Sequence, residues 1–268
     1  ALGLNKSDGF FADEKTAPLV LAKAERYINN NNFFLGHELI NRLLNNASVI
    51  FANSDEKKKL TKAAHTLGII GYRSSYSFHE SNEAIDALLA KRQDLDLSPT
   101  EVCDFSYLRA TNVNDEFQFR YRINDSELND GQKIFRGFED SLNGIIFGYE
   151  RYLSQCNRDH ENYNRARIAV ARSKAGLRQF DQAEELLLKV IVTAPGTADA
   201  QDAILVLREI YGNQHKEYIV CLEGICRKTG LDEYTRSQVR EQAFSVIVSS
   251  QDFDACLKAW DLLVSITP

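Results

Sequence analysis

The chain has 268 residues, 44% apolar and 26% charged, with a net charge of −6 and a pI near 5.5. This is ordinary globular composition, which argues against disorder, and an acidic balance disfavours a wholesale nucleic-acid binder. No stretch approaches the roughly 20 apolar residues that span a bilayer, and the opening ALGLNKSDGFFADEK lacks the charged start and apolar core of a signal peptide.

Proline is rare (four residues), glycine moderate (14) and methionine absent. The scarcity of breakers favours long helices. Apolar residues recurring at helical spacing predict helices at about 14–29, 33–51, 56–73 and 80–93. In the first, Leu21, Ala24 and Ile28 share a face. Further helices are predicted at 127–156, 162–176, 180–193, 198–211, 216–229, 232–249 and 253–265. Stop signals fall at Asn29–Asn32, Gly176, Pro195–Gly196, Gly212–Asn213 and Gly230. The short connections predict antiparallel helix hairpins.

One segment departs from the helical period. In EFQFRYRIN, Phe117, Phe119, Tyr121 and Ile123 alternate with Glu116, Gln118, Arg120 and Arg122, which is the period of a half-buried strand. Upstream, Cys103, Phe105 and Tyr107 also alternate, and ATNVND between them is turn-prone. These features predict a β-hairpin insertion at about 102–124. The expected organisation is helical pairs over 1–99, the hairpin over 100–126 and helical repeats over 127–268.

The C-terminal half repeats itself. LRQFDQAEELLLKVIVTAP, ending at Pro195, aligns with SQDFDACLKAWDLLVSITP, ending at Pro268. Phe180 matches Phe253, Ala183 matches Cys256, Leu187 matches Trp260 and Val190 matches Leu263, always 73 positions apart. A weaker copy lies between, with Leu222 and Ile225 about 35 positions on. The spacing Phe180–Ala183–Pro195 and Phe253–Cys256–Pro268 resembles the second helix of the tetratricopeptide (TPR) repeat, whose unit is about 34 residues. The resemblance implies a mostly α fold, an α-solenoid of antiparallel pairs. It also implies a small residue where the helices of a pair cross, an aromatic between pairs and a proline that ends the helix. The first helix departs from the family pattern at Arg167, Val170 and Lys174 and keeps only the small Ala171. Around 211–230, Tyr218 replaces the small residue and Gly230 the proline. The resemblance covers about 162–268, is weak over 14–95 and does not cover 100–126.

Few constellations point to chemistry. His37, His65, His79, His160 and His215 form no HExxH and no zinc-finger spacing, and His37 is expected to pack in the core. No P-loop, GxGxxG or GxSxG occurs. Neither a metal nor a cofactor is expected. Gly137, Gly144 and Gly148 share a helix face, which predicts close helix approach. Cys103, Cys156, Cys221, Cys226 and Cys256 include no CxxC, and the odd count suits reduced, buried thiols and a cytoplasmic location. The Asn-Xaa-Ser sequences at Asn5, Asn46 and Asn124 are expected to be chance matches.

The main charge cluster is Arg158, Arg165, Arg167, Arg172, Lys174 and Arg178. By the TPR resemblance, Arg165, Ile168 and Arg172 would point into a concave groove, where two arginines could hold a carboxylate or phosphate. The family's lysine–asparagine clamp for chaperone tails has no counterpart at Ile168/Arg172, Ala203/Leu207 or Glu241/Ser245. The expected function is a non-enzymatic module that binds a protein or peptide in the repeat groove, with Arg120, Tyr121 and Arg122 of the hairpin as a second contact. Two alternatives stand beside it. One is an α-helical enzyme or ligand sensor with its site between the repeats and the hairpin. The other is a regulatory subunit reading an acidic or phosphorylated segment through Arg165 and Arg172.

Overall fold

The computed structural model describes residues 15–50, 54–121, 138–229 and 232–267. Among these residues there are twelve α-helices and no strand. In chain order they are α1 (Ala17–Asn29), α2 (Phe33–Ile50), α3 (Ser54–Ser74), α4 (Phe78–Ala90), α5 (Pro99–Tyr121) and α6 (Glu139–Gln155). Then follow α7 (Tyr163–Gly176), α8 (Phe180–Thr193), α9 (Ala198–Tyr211), α10 (His215–Thr229), α11 (Glu233–Ser249) and α12 (Phe253–Ile266). The chain divides into two compact units, Ala1–Glu116 and Phe117–Pro268.

In the first unit α1, α2 and α3 pack on one another around Val20, Ala24, Ile28, Leu39, Ile40 and Leu43. Glycine permits the closest approaches. A Cβ on Gly36 would lie 2.7 Å from Ile28 Cγ1, and one on Gly71 would lie 2.9 Å from both His37 Cε1 and Ile28 Cδ1. His37 stacks on Tyr72 with ring centroids 3.7 Å apart, the packing role expected of it.

The hairpin expected at 102–124 is not found. Residues 102–121 belong to the single helix α5, and 122–124 lie outside the described residues. Its start carries a reciprocal cap. The Glu101 N–H donates to Ser98 Oγ (3.2 Å) and the Ser98 N–H donates to Glu101 Oε2 (2.9 Å), with Pro99 at the first helical position. The aromatics also obey the helical period. Phe117 and Tyr121, four apart, contact each other at 5.2 Å and both meet Phe138, whereas Phe119 is exposed. The turn-prone residues are absorbed by a buried polar network. Asn112 donates to Ser81 Oγ (2.9 Å) and Asn82 Oδ1 (2.8 Å) and accepts from Arg73 Nη1 (2.7 Å), while Arg73 also pairs with Asp115 (2.7 Å). A helix whose inner face is partly polar shows no clean 3.6-residue stripe, so local alternation misleads.

In the second unit α7 and α8 form one pair, α9 and α10 a second, and α11 and α12 a third. α7 packs on α9 and α9 on α11, while α8 packs on α10 and α10 on α12. The core runs through Ala171, Ala183, Leu187, Leu207, Leu222, Val239, Ala259 and Leu262. Ala183, Leu187 and Val190 of α8 are matched by Tyr218, Leu222 and Ile225 of α10, 35 positions on. In α12 the matching residues are Ala255, Ala259 and Leu262, 72 positions on from α8 rather than 73. Ala183 is fully buried, and Phe180 packs on the core. Cys256 is only half-buried, however, and Phe253 and Trp260 are exposed. One residue is 100° of helix rotation, so the 73-residue alignment turns the wrong face of α12 inward. Pro195 stands just beyond the end of α8, and Pro268 lies outside the described residues.

Tyr218 occupies the place that Ala183 and Ala255 hold in the other pairs. It is buried, its hydroxyl donates to the Ile204 carbonyl (3.3 Å), and α9 and α10 come close at fewer backbone positions than the other two pairs do. A phenol at a helix crossing holds the helices apart.

Three helix hairpins close in the same way. Asn31, Tyr76 and Arg178 adopt positive φ of 59°, 59° and 61°. The next residue's N–H then donates to a carbonyl five residues back, from Asn32 to Tyr27, Ser77 to Tyr72 and Gln179 to Lys174. An L-residue with a side chain is strained there. Arg178→Gly should therefore stabilise the second unit by about 1 kcal/mol, read as a higher urea midpoint.

His65 of α3 is buried, and its Nε2 meets no hydrogen-bond partner among the described residues. Burial, and secondarily the charge of Lys91, lower its pKa from 6.5 to about 4. The unfolded chain thus takes up the proton first. The stability that depends on neutral His65 is complete above pH 6.5 and is lost as pH falls from 6.5 towards 4. His65→Leu should flatten that limb, recovering roughly 2–3 kcal/mol at its acid end relative to the parent.

Candidate functional site

One of the three residues expected to form the arginine site is buried. Ile168 is 3% exposed and belongs to the core with Ala171 and Ala175, so it lines no open groove. Arg165 is exposed at the start of α7, 3.7 Å from Asp199 of α9, and Arg172 is half-buried two turns on. Three of the remaining four cations of the cluster have separate local roles. The Arg167 guanidinium lies 4.8 Å from the Tyr163 ring centroid, Lys174 donates to Gln182 (3.0 Å) and Arg178 sits in the α7–α8 turn. A sequence run of positive charge is therefore spread around α7. Arg120 and Tyr121 lie in the last turn of α5 rather than on a strand, and Arg122 lies outside the described residues.

Other expectations are also revised. Cys221, Cys226 and Cys256 are free thiols, but Cys103 and Cys156 are disulfide-bonded. The expectation of five reduced thiols fails, and with it the cysteine argument for a reducing compartment. A Cβ on Gly144 would meet nothing within 4 Å, so close helix approach does not explain that glycine. Gly137 lies outside the described residues, and so do Asn5 and Asn124. No group of three or more His, Cys, Asp or Glu among the described residues could hold a metal, and none of their helices is long and apolar enough to cross a membrane.

Two surface features of the second unit stand out. One is a cleft of about 490 Å³ at α10, lined by Glu184, Leu188, Val220, Gly224, Lys228 and Lys258 among others. A Cβ on Gly224 would meet nothing within 4 Å. Tyr211 donates to Glu184 Oε2 (2.8 Å). Burial pushes the Cys221 thiol up to about 12, so the cleft holds no thiolate at neutral pH.

The second feature is apolar, and the burial register of α12 explains it. Its inner face is Ala255, Ala259, Leu262 and Ile266. Directly opposite lie Phe253, Leu257, Trp260 and Val264, which are 77%, 51%, 59% and 61% exposed. Together they present on the order of 500 Å² of apolar surface, as large as the biggest patch on many monomers. The other outer-layer helices carry charge at half or more of the same positions. At the corresponding positions α8 carries Asp181, Glu185, Leu188 and Val192, and α10 carries Lys216, Val220, Glu223 and Arg227. Phe244 and Val248 of α11, 60% and 70% exposed, likewise point away from their own core face. The signal was present in the sequence as apolar residues at both 255/259/262/266 and 253/257/260/264, a helix apolar on two faces.

Comparison with protein-family models, with curated proteins and with solved structures finds no match.

Trp260 is the only tryptophan of the chain, which makes this face directly observable. Native protein should emit at the wavelength of solvated indole and be quenched efficiently by iodide. Emission from an apolar environment would show that the face is covered in the isolated chain.

Proposed function

We propose that this chain is a non-enzymatic interaction module whose Phe117–Pro268 unit is a TPR-like α-solenoid and whose ligand is a helix or peptide of a partner protein. The observation that carries the reading is the outer face of α12, apolar at all four positions where α8 has two charged residues and α10 has three. Leaving such a face in water costs about 25 cal/mol per Å² relative to covering it. The packing of alternate helices, α7 on α9 on α11 and α8 on α10 on α12, supports the solenoid reading, as does the spacing of about 35 residues. In this reading the contact surface is the outer face of the last pair rather than Arg165, Ile168 and Arg172. An anion clamp at Arg165 is disfavoured because Asp199 already stands beside that guanidinium.

The reading is tested by placing a photoreactive phenylalanine analogue at Phe253 or Val264 and irradiating the native cell. Both positions should yield a discrete cross-linked protein that the same analogue at exposed Arg178 does not. Equal or absent cross-linking at all three positions would remove the α12 face as a contact surface.

A further inference from the structure

The partner of the α12 face has a definable chemistry, which rests on the interaction reading above. Phe253, Leu257, Trp260 and Val264 follow one another at intervals of four, three and four. That is the a/d spacing of a helix–helix seam, a narrow line rather than a broad sheet-like patch. A strand or an extended peptide alternates every two residues and would bring only half of its side chains to such a line. A second helix lying along α12 would bring its own a and d residues to all four.

The edges of the seam select among helices. On the side facing α10 the flanking residues are Asp254 and Asp261. Asp254 accepts from Lys216 at 3.5 Å with its side chain still 69% exposed, and Asp261 is exposed with no ion-pair partner among the described residues. On the side facing α11 the flanking residues are Cys256 and Leu263, half-buried and uncharged, with the Cys256 thiol aimed at the Ile247 and Ser250 carbonyls. One edge therefore sets two aspartates nearest the seam, with Lys258 behind them on the same side, and the other edge is uncharged.

This asymmetry argues against a second copy of the chain as the occupant. Antiparallel pairing of two α12 helices would set Asp254 of each against Asp261 of the other, so like charges would line the same edge. Parallel pairing would stack Trp260 on Trp260 and leave Val264 against Val264, large on large and small on small. A helix with lysine or arginine at the position facing Asp254 and Asp261 meets neither obstacle.

We infer that the seam formed by Phe253, Leu257, Trp260 and Val264 binds an amphipathic helix of a partner protein, with apolar residues at a/d spacing and basic residues along the edge that meets Asp254 and Asp261. Because the seam lies opposite the core face of α12, substitutions in it leave the fold intact.

Two tryptophan-free synthetic peptides test this, each three heptads long with leucine at a and d. One has lysine at all flanking positions and the other glutamate, so self-repulsion keeps both monomeric. Trp260 emission reports binding. The lysine peptide should shift the emission to shorter wavelength, protect it from iodide and bind at least tenfold more tightly than the glutamate peptide at low salt. Added salt should shrink that difference. Asp254→Lys/Asp261→Lys should reverse the preference, and Leu257→Asp should abolish binding while leaving the circular dichroism melt unchanged. Failure of both peptides to alter Trp260, or equal binding of the two, would overturn the inference. So would a dimer of the chain alone in sedimentation that Leu257→Asp dissolves, since a second copy would then own the seam. Discrete cross-links from Phe253 with no peptide binding would reject the basic-helix chemistry alone, whereas loss of both would reject the interaction reading with it.

Discussion

A pair of packed helices cannot bury all of its apolar surface by itself. Each helix presents a stripe to its hairpin partner and a second to the neighbouring pair. In the Phe117–Pro268 unit this need for cover runs through every layer, because α9 covers α7 and α11 covers α9, while α10 covers α8 and α12 covers α10. Ala183 and Ala255 allow their pairs to close tightly, whereas Tyr218 props its pair apart and satisfies its own hydroxyl on the Ile204 carbonyl. The exposed line on α12 is the same need for cover, left unmet within the described residues.

The Ala1–Glu116 unit meets this demand differently. Gly36 and Gly71 bring backbones close enough that a methyl group would collide with Ile28 or His37. Further along, the interior turns polar. Asn112 is fully buried yet bonded to Ser81, Asn82 and Arg73, so the desolvation of its amide is offset by directed bonds. Such a network fixes the register of α5 against α3 and α4 more sharply than apolar packing does, because a shift of one residue would orphan several groups at once.

Function follows from where charge and apolar surface remain uncommitted. The cations around α7 looked like a binding patch as a string of letters, but the helix distributes them. Arg165 stands beside Asp199, Arg167 lies on the Tyr163 ring and Lys174 reaches Gln182. The apolar line of α12 is the opposite case, four side chains turned outward together with no function in the core.

Much was legible in the sequence because it is local. Helix periodicity together with Asn, Gly and Pro stops located α1 to α4 and α7 to α12 to within a few residues, and the spacing of about 35 residues between pairs was visible in Leu222 and Ile225. The cap Ser98–Pro99–Thr100–Glu101 that starts α5 is equally local, but it was not read from the sequence, where the aromatic alternation after it pointed to strands. What only the tertiary structure decided was rotation and environment. A slip of one residue turns a helix face by 100°, so whether Ala255 or Cys256 faces inward, and hence whether Trp260 is buried or exposed, depends on what the helix packs against. Likewise Asn112 belongs in a helix because Ser81, Asn82 and Arg73 are there to bond it, and those partners are some 30 to 40 positions away along the chain.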